Sequence, residues 1–527
     1  MDDLLKQCWG KLKLKRGCTS QRPKDQGKEG HLEPEIQKND PPFIRQEHGL
    51  RTGRHSCVQM SDSEGVALKC ILYIRHYLRL QFKWGVDVKK LPLPIQAGEL
   101  ARLIPVVKDT CLEDRASSIL LAIFRAVPAF SAVMLKSIGQ RVGAQSKISC
   151  YTQIVLADPP DGKLRPDGLI RIERGGKVWT ALVEAKIGNA ALDKDQILAY
   201  IDLAKSNGID ALITVSNDFA TLPTFHPIAF GKREQKGIEL FHWSWLHAVT
   251  QGTLIQQSDE LQDDNQKFIL DEFLRYFEHD SVGIKGFHQM NAEWKQVIQD
   301  VLNGAPLKKT APEIEHTINA WHQESRDLCM IMSRALGVSV KEQLARHHVK
   351  NPEQRCKDDA EHLVDIHELL CTLDIPDSAD VIKIKVDLQR RSICCSMRLE
   401  APQNTKTNKP QITWLLKQLS EASDQNIHVR AWHKKAQTPT QANLAEVRKC
   451  PQCLVSEGKR KVLFSRFEVS MVHDLAGKFS GSKLFIKSLE EFVPYFYEQV
   501  GQHVQAWVAP PPKAQTKDVF EDVAKIA

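Results

Sequence analysis

The sequence predicts an α/β protein: a mixed sheet flanked by helices, a helical middle segment and a second, smaller α/β domain. Three observations carry that reading. Between Glu113 and Trp243 the apolar pattern runs helix, three strands, helix, strand, strand. Residues 260–345 keep a helical period, and residues 376–510 return to strand-like runs between shorter helical ones. The expected division is 1–95 a poorly structured leader, 96–255 the first α/β domain, 256–345 a helical connector, 346–375 a linker, 376–510 the C-terminal α/β domain and 511–527 a tail.

Residues 1–65 mix both signs of charge with Gly, Pro and Gln and hold no apolar period, and Met60 is an alternative start. Residues 66–92 are expected as a basic amphipathic helix with a strand-like tail, closed by Pro92 and Pro94. From Glu113 to Ile138 the residues Ile119, Leu120, Ile123, Phe124, Val127 and Phe130 make one helical face, and Pro128 kinks or divides it. Strands are expected at Tyr151–Ala157, Arg165–Arg174 and Val178–Ile187, separated by Asp-Pro-Pro-Asp-Gly and by Gly175-Gly176. A helix over Leu192–Ser206 and strands at Ala211–Ser216 and Ile238–Trp243 complete the first domain.

Helices follow around Phe273 and Trp321, then a charged linker over 346–360. Beyond it, Val381–Val386 and Ile393–Leu399 resemble a hairpin, Trp414–Leu419 a helix, Ile427–Trp432 and Phe464–Met471 strands, and Leu484–Trp507 a long C-terminal helix.

Composition narrows the function classes. Hydrophobic residues make up 42% and charged residues 26% of the 527, which excludes wholesale disorder. No apolar run reaches the roughly 18 residues of a membrane span. Lys69, Arg75 and Arg79 interrupt the most apolar N-terminal stretch, so it does not read as a signal peptide. Thirteen cysteines without a compact framework fit the reduced thiols of a cytoplasmic protein. The formal charge of +7 is concentrated: Val381–Ala527 holds 23 Lys and Arg against 14 Asp and Glu. There Lys434-Lys435 beside Trp432, and Lys459-Arg460-Lys461, are candidate phosphate contacts.

The stretch from Arg165 to Lys186 carries the chemistry. With Gly175-Gly176 as a two-residue hairpin loop, paired residue numbers sum to 351, which sets Asp167 opposite Glu184 on one face. Like charges so close call for a positive group between them, and a hard divalent cation held by carboxylate oxygens supplies it. Lys186 projects from the same face. Because Val178–Ile187 is almost continuously apolar, charges within it are costly unless paired or coordinated.

Pro166-Asp167 and Glu184-Ala185-Lys186, within a helix–three strands–helix–strand order, resemble the PD-(D/E)xK nuclease superfamily and its restriction-endonuclease-like core. The resemblance implies Asp167 and Glu184 as ligands of Mg²⁺ (or Mn²⁺) and Lys186 as the catalytic lysine of phosphodiester hydrolysis, with DNA as the expected partner. Gln196-Ile-Leu-Ala-Tyr200 is similar to the Gln-x-x-x-Tyr signature of the exonuclease-like branch, which implies that Gln196 and Tyr200 stand near the metal site and DNA. A glutamate on the first core helix is a further family feature; Glu113 is the candidate metal ligand, with Asp114 adjacent. Residues from about 97 to 510 are also similar to uncharacterised bacterial proteins sometimes labelled stress-response proteins. The alternative function is a catalytically silent nuclease-like scaffold binding nucleic acid or a protein partner.

Three other signals carry less. Cys450-Pro-Gln-Cys453 has the spacing of half a zinc site, with no second half nearby. Gly477–Lys483 lacks the Gly-Lys-Ser/Thr ending of a phosphate loop. His242, His247, His322 and His473 show no metal-ligand spacing and are read as packed or surface residues.

Overall fold

The computed structural model describes residues 92–511 except 106, 109, 158–163, 221, 232, 424–425, 460 and 510. The expected helix over 66–91, the Asp-Pro-Pro-Asp-Gly turn, Arg460 and residues 512–527 lie outside the described residues. The α/β class holds, with two sheets.

The first sheet has six strands in sequence order: β1 (Ile95–Leu100), β2 (Lys147–Leu156), β3 (Gly168–Arg174), β4 (Lys177–Ala185), β5 (Ala211–Ser216) and β6 (Glu239–Ser244). Neighbours from β1 to β4 are antiparallel, whereas β4, β5 and β6 run parallel. That switch requires a crossover, which α3 (Lys194–Ser206) supplies; Asp193 caps it by accepting from Gln196 N at 2.8 Å. On one face pack α1 (Leu112–Ala126), α2 (Pro128–Ser137), α4 (Trp245–Gln257) and α5 (Asp264–Phe277), burying Phe124, Phe130, Trp245 and Phe273 against Ala181, Val183 and Ile213. On the other, Ile197, Tyr200 and Ile201 of α3 meet Leu169, Leu182 and Leu212. The helix expected over 113–138 is divided at Val127 and bends by 110°, because Pro128 opens a new first turn.

The β3–β4 ladder runs from Arg174–Lys177 to Gly168–Val183, and each pair obeys the predicted sum. Gly175 and Gly176 both take positive φ, 53° and 79°, as a primed hairpin turn requires. Gly168 is needed for another reason: a Cβ there would stand 2.2 Å from Leu121 Cδ1, so α1 sits directly on the start of β3.

The second sheet has seven antiparallel strands, and helices α6 (Trp294–Leu302) and α7 (Pro312–Leu336) bury into its core. Its strands are β7 (Lys341–Glu342), β8 (Glu368–Asp374), β9 (Ile382–Asp387), β10 (Ser392–Glu400), β11 (Ile427–His433), β12 (Thr440–Asn443) and β13 (Phe464–Asp474), in the spatial order β12-β11-β13-β10-β9-β8-β7. The interval 346–360, expected as linker, is helical instead. It forms α8 (Arg346–Lys350) and most of α9 (Pro352–Ile366), the latter started by the Asn351 cap and Pro352 at its first position. Strand β8 also falls inside the expected linker. Helix α10 (Asn408–Gln418) is longer than the expected Trp414–Leu419, and a short α11 (Leu444–Lys449) follows β12. Helix α12 (Ser482–Phe496) ends in a π-turn over Tyr497–Gly501 rather than continuing to Trp507; Pro494 removes a backbone donor within it. Among the described residues, no single helix is long and apolar enough to cross a membrane.

Candidate active site

Asp167 lies one residue before β3 and Glu184 one residue before the end of β4, so the hairpin register continues to bring them together. The Asp167 carboxylate accepts from Ala185 N at 2.7 Å, and its own carbonyl accepts from Gln153 N at 3.3 Å. Lys186 continues the parallel pairing beyond β4, donating its N–H to Val215 O at 2.7 Å. Trp245 Nε1 donates to Lys186 O at 2.8 Å while its ring stacks on Phe277, so the lysine backbone is held from the helical layer.

Lys186 Nζ reaches Glu184 Oε1 at 2.7 Å and Glu113 Oε2 at 3.6 Å. The two acids at the start of α1 separate in their contacts: Asp114 accepts from Gln153 Nε2 at 2.7 Å, while Glu113 faces the lysine. From α3, Gln196 Nε2 donates to the Tyr200 hydroxyl at 3.2 Å, which donates to Arg165 O at 3.3 Å and stands beside the Glu184 carboxyl. The structure thus gathers Glu113, Asp167, Glu184, Lys186, Gln196 and Tyr200 at one end of the sheet.

The electrostatics follow from burial. Glu184 is only 2% exposed, and its Oε2 is buried without a hydrogen-bond partner among the described residues. Burial lifts the Glu184 carboxyl above its ordinary range despite the Lys186 hydrogen bond. Burial first, and then the Glu184 charge, push Asp167 upward as well. For Lys186, burial acts downward, but hydrogen bonding and charge from Glu184, with Glu113 and Asp167, leave it above its usual value. The lysine is therefore a fixed ammonium rather than a base. Three acids face one ammonium, the raised values of Asp167 and Glu184 keep protons on part of the cluster when nothing else compensates it, and the donors are all carboxylate oxygens. Oxygen donors of this kind suit a hard dication such as Mg²⁺ in type, although the ligand atoms of Glu113, Asp167 and Glu184 do not all lie within 4.8 Å of one another.

Sequence reasoning missed an extension of this site. Glu184 pairs in register with Thr214 of β5, which pairs with His242 of β6, so the three side chains share the α3 face. Thr214 Oγ1 lies 2.8 Å from His242 Nδ1 and 2.9 Å from His226 Nε2, and His242 Nε2 is 2.8 Å from Asp218 O. Burial holds both imidazoles neutral, lowering His226 to about 3 and His242 to about 4. A polar row therefore crosses the sheet from Asp167 to His226. The only available signal was single polar residues at like positions in two otherwise apolar strands.

The basic candidates sit elsewhere. His433 pairs with Phe464, which brings Lys434 and Lys435 after β11 to the same end of the second sheet as Lys459 and Lys461 before β13. Lys434, Lys435 and Lys461 are exposed, Lys459 is half-buried, and Arg466 lies 4.7 Å over the Trp432 ring. Cys450 and Cys453 are exposed free thiols. No family model, curated protein or solved structure matches this chain.

Proposed function

We propose that the chain is a metal-dependent nuclease of the PD-(D/E)xK type, acting in the cytoplasm and hydrolysing the DNA backbone at the Asp167–Glu184–Lys186 end of the first sheet. One observation carries the reading: a glutamate 2% exposed, with one oxygen unpartnered among the described residues, stands opposite a half-buried aspartate beside a charged lysine. Glu324 and Asp327 also carry unpartnered buried oxygens, so what supports the reading is the juxtaposition of Glu184, Asp167 and Lys186 and not the unused oxygen alone; buried charge of this kind is costly unless it is paired or coordinated.

Asp167 and Glu184, with Glu113 at the rim, would hold Mg²⁺ or Mn²⁺. When bound, the ion supplies Lewis-acid stabilisation of the phosphate and lowers the pKa of a water. Ala185 N orients Asp167, and Tyr200 with Gln196 fences Glu184, so both carboxylates are fixed before substrate arrives. Lys186, released from Glu184, holds the attacking water and a non-bridging phosphate oxygen through its ammonium. The neutral Thr214–His242–His226 row excludes further charge from the α3 face. Lys434, Lys435, Lys459 and Lys461 serve as sequence-independent contacts to the nucleic-acid backbone.

A non-catalytic scaffold is the second reading, favoured by the 2.7 Å Lys186–Glu184 pair, which compensates part of the charge without any metal. The test is cleavage of linear, nicked and single-stranded DNA with Mg²⁺ or Mn²⁺. Wild type should cut at least one of them, and Lys186→Ala should cut it about 10²–10³-fold more slowly. DNA binding without turnover, unchanged in Asp167→Ala, would establish the scaffold instead.

A further inference from the structure

We propose that His347, His348 and Asp358 form a second metal site, for a borderline transition dication of the Zn²⁺ class, and that the ion fastens α8 to α9. Among the described residues this is the one group of three metal-type side chains whose ligand atoms all lie within 4.8 Å of one another. His348 Nε2 and His347 Nε2 approach the same oxygen, Asp358 Oδ2, at 2.8 and 3.7 Å, with the two imidazole centroids 4.1 Å apart. Two ligands bound about 2.0–2.1 Å from a tetrahedral ion stand about 3.4 Å apart, a value those two separations bracket.

The donor set selects the ion. Two imidazoles and one carboxylate suit Zn²⁺, Co²⁺ or Ni²⁺ and disfavour Mg²⁺, so this site differs in chemistry from the all-carboxylate one on the first sheet. The His347 side chain is 65% exposed, which leaves the remaining coordination position to water. Outer-shell support is in place: Gln354 Nε2 donates to Asp358 Oδ1 at 2.7 Å, orienting the carboxylate and leaving Oδ2 for the histidines.

A second observation says what the ion does. Helix α8 is five residues long and buries none of its side chains. A single turn of that kind has neither the length nor the apolar contact that stabilises a helix. Its neighbour α9 is well anchored: Arg355 pairs with Glu342 and with Asp359, and Asp359 also meets His322 of α7 at 2.7 Å. Asp358 and Asp359 thus divide the work, one gripping α8 and the other the core. A dication held between α8 and α9 adds the anchorage that α8 lacks.

The experiment loads purified full-length protein with Zn²⁺, removes weakly held metal by dialysis and measures bound zinc. Wild type should retain one zinc more than the His347→Ala/His348→Ala double variant, and Zn²⁺ should raise the melting temperature of wild type alone. His348→Asn keeps a donor toward Asp358 but loses the imidazole ligand; it should fold normally and lose the zinc effect. Gln354→Ala should weaken binding about 10-fold or more. The Asp167→Ala and Glu184→Ala variants should bind this zinc unchanged. Equal zinc and equal thermal shift in wild type and in the histidine variants would overturn the assignment. So would Co²⁺-loaded protein showing a thiolate charge-transfer band that disappears in Cys450→Ser/Cys453→Ser, which would put the metal on the cysteines.

Discussion

In the seven-stranded sheet the inner face is apolar, with Ile384, Cys395, Val429, Val469 and Met471 all buried, while the charges stay on the outer face. There Arg430 meets Glu468 at 3.1 Å and Lys385 meets Glu368 at 2.8 Å. The six-stranded sheet is covered on both faces, and β5 is buried at every residue, yet its α3 face holds Glu184, Thr214 and His242 in one row. Alternation in the antiparallel sheet needs only one dry face; the parallel strands offer no wet face on which to leave a charge. Polar groups inside them persist through mutual hydrogen bonds or through coordination, and among the described residues Glu184 Oε2 has no hydrogen-bond partner. The difference separates a sheet whose buried face is apolar throughout from a sheet that buries a row of polar groups, the row on which the proposed chemistry rests.

Substitutions on the two sheets should therefore fail in different ways. Lys186→Ala should lower DNA cleavage by about 10²–10³-fold, about 2.7–4 kcal/mol of transition-state stabilisation, with circular dichroism and melting temperature close to wild type. Ile384→Ala should do the reverse: truncating a fully buried aliphatic side chain costs about 2–5 kcal/mol of stability by denaturant titration, with turnover per folded molecule unchanged. If Ile384→Ala lowered turnover at full folding, the division between the sheets would be broken.

A smaller effect sharpens the account of the polar row through pH. His226 and His242 are lowered by burial to about 3 and about 4, against an ordinary 6.5, so the folded chain binds fewer protons than the unfolded one. Their contribution is complete above pH 6.5 and is lost as pH falls from there toward 4 for His242 and toward 3 for His226; His242→Gln should shrink that acid loss in urea titrations. Asp167 works in the opposite sense. Its folded value is raised, so its contribution is complete below 3.8 and is lost as pH rises through the folded value. In EDTA, Asp167→Asn should flatten the alkaline decline of wild type, and Mg²⁺ should stabilise wild type more at pH 8 than at pH 6.

The smallest expected effect concerns the basic end of the second sheet. Lys434→Glu/Lys435→Glu should weaken DNA binding alike for all sequences and reduce the salt slope by about 1 per lost phosphate contact. An unchanged slope in filter-binding would remove this end of the sheet from the nucleic-acid surface.

The hairpin was legible in the sequence because two adjacent glycines set its register locally, and every pair from Arg174–Lys177 to Gly168–Val183 follows from that turn. The meeting of Gln196 with Tyr200 was legible for the same reason, since both lie one turn apart on a single helix. Thr214, His242 and His226 were not, because alignment of parallel strands depends on crossovers rather than on any turn. Helices α8 and α9 were hidden by their charge, for α8 buries nothing and α9 only Arg355, Ala360 and Leu363. His347, His348 and Asp358 meet only because the chain breaks at Asn351-Pro352.

The most direct test of the central claim is the position of a cation in crystals grown with Mn²⁺. An anomalous peak about 2.0–2.2 Å from carboxylate oxygens of both Asp167 and Glu184, with Lys186 turned away from Glu184, is the predicted result. Crystals at saturating Mn²⁺ with no peak there, and with the Lys186–Glu184 pair still closed at 2.7 Å, would contradict it.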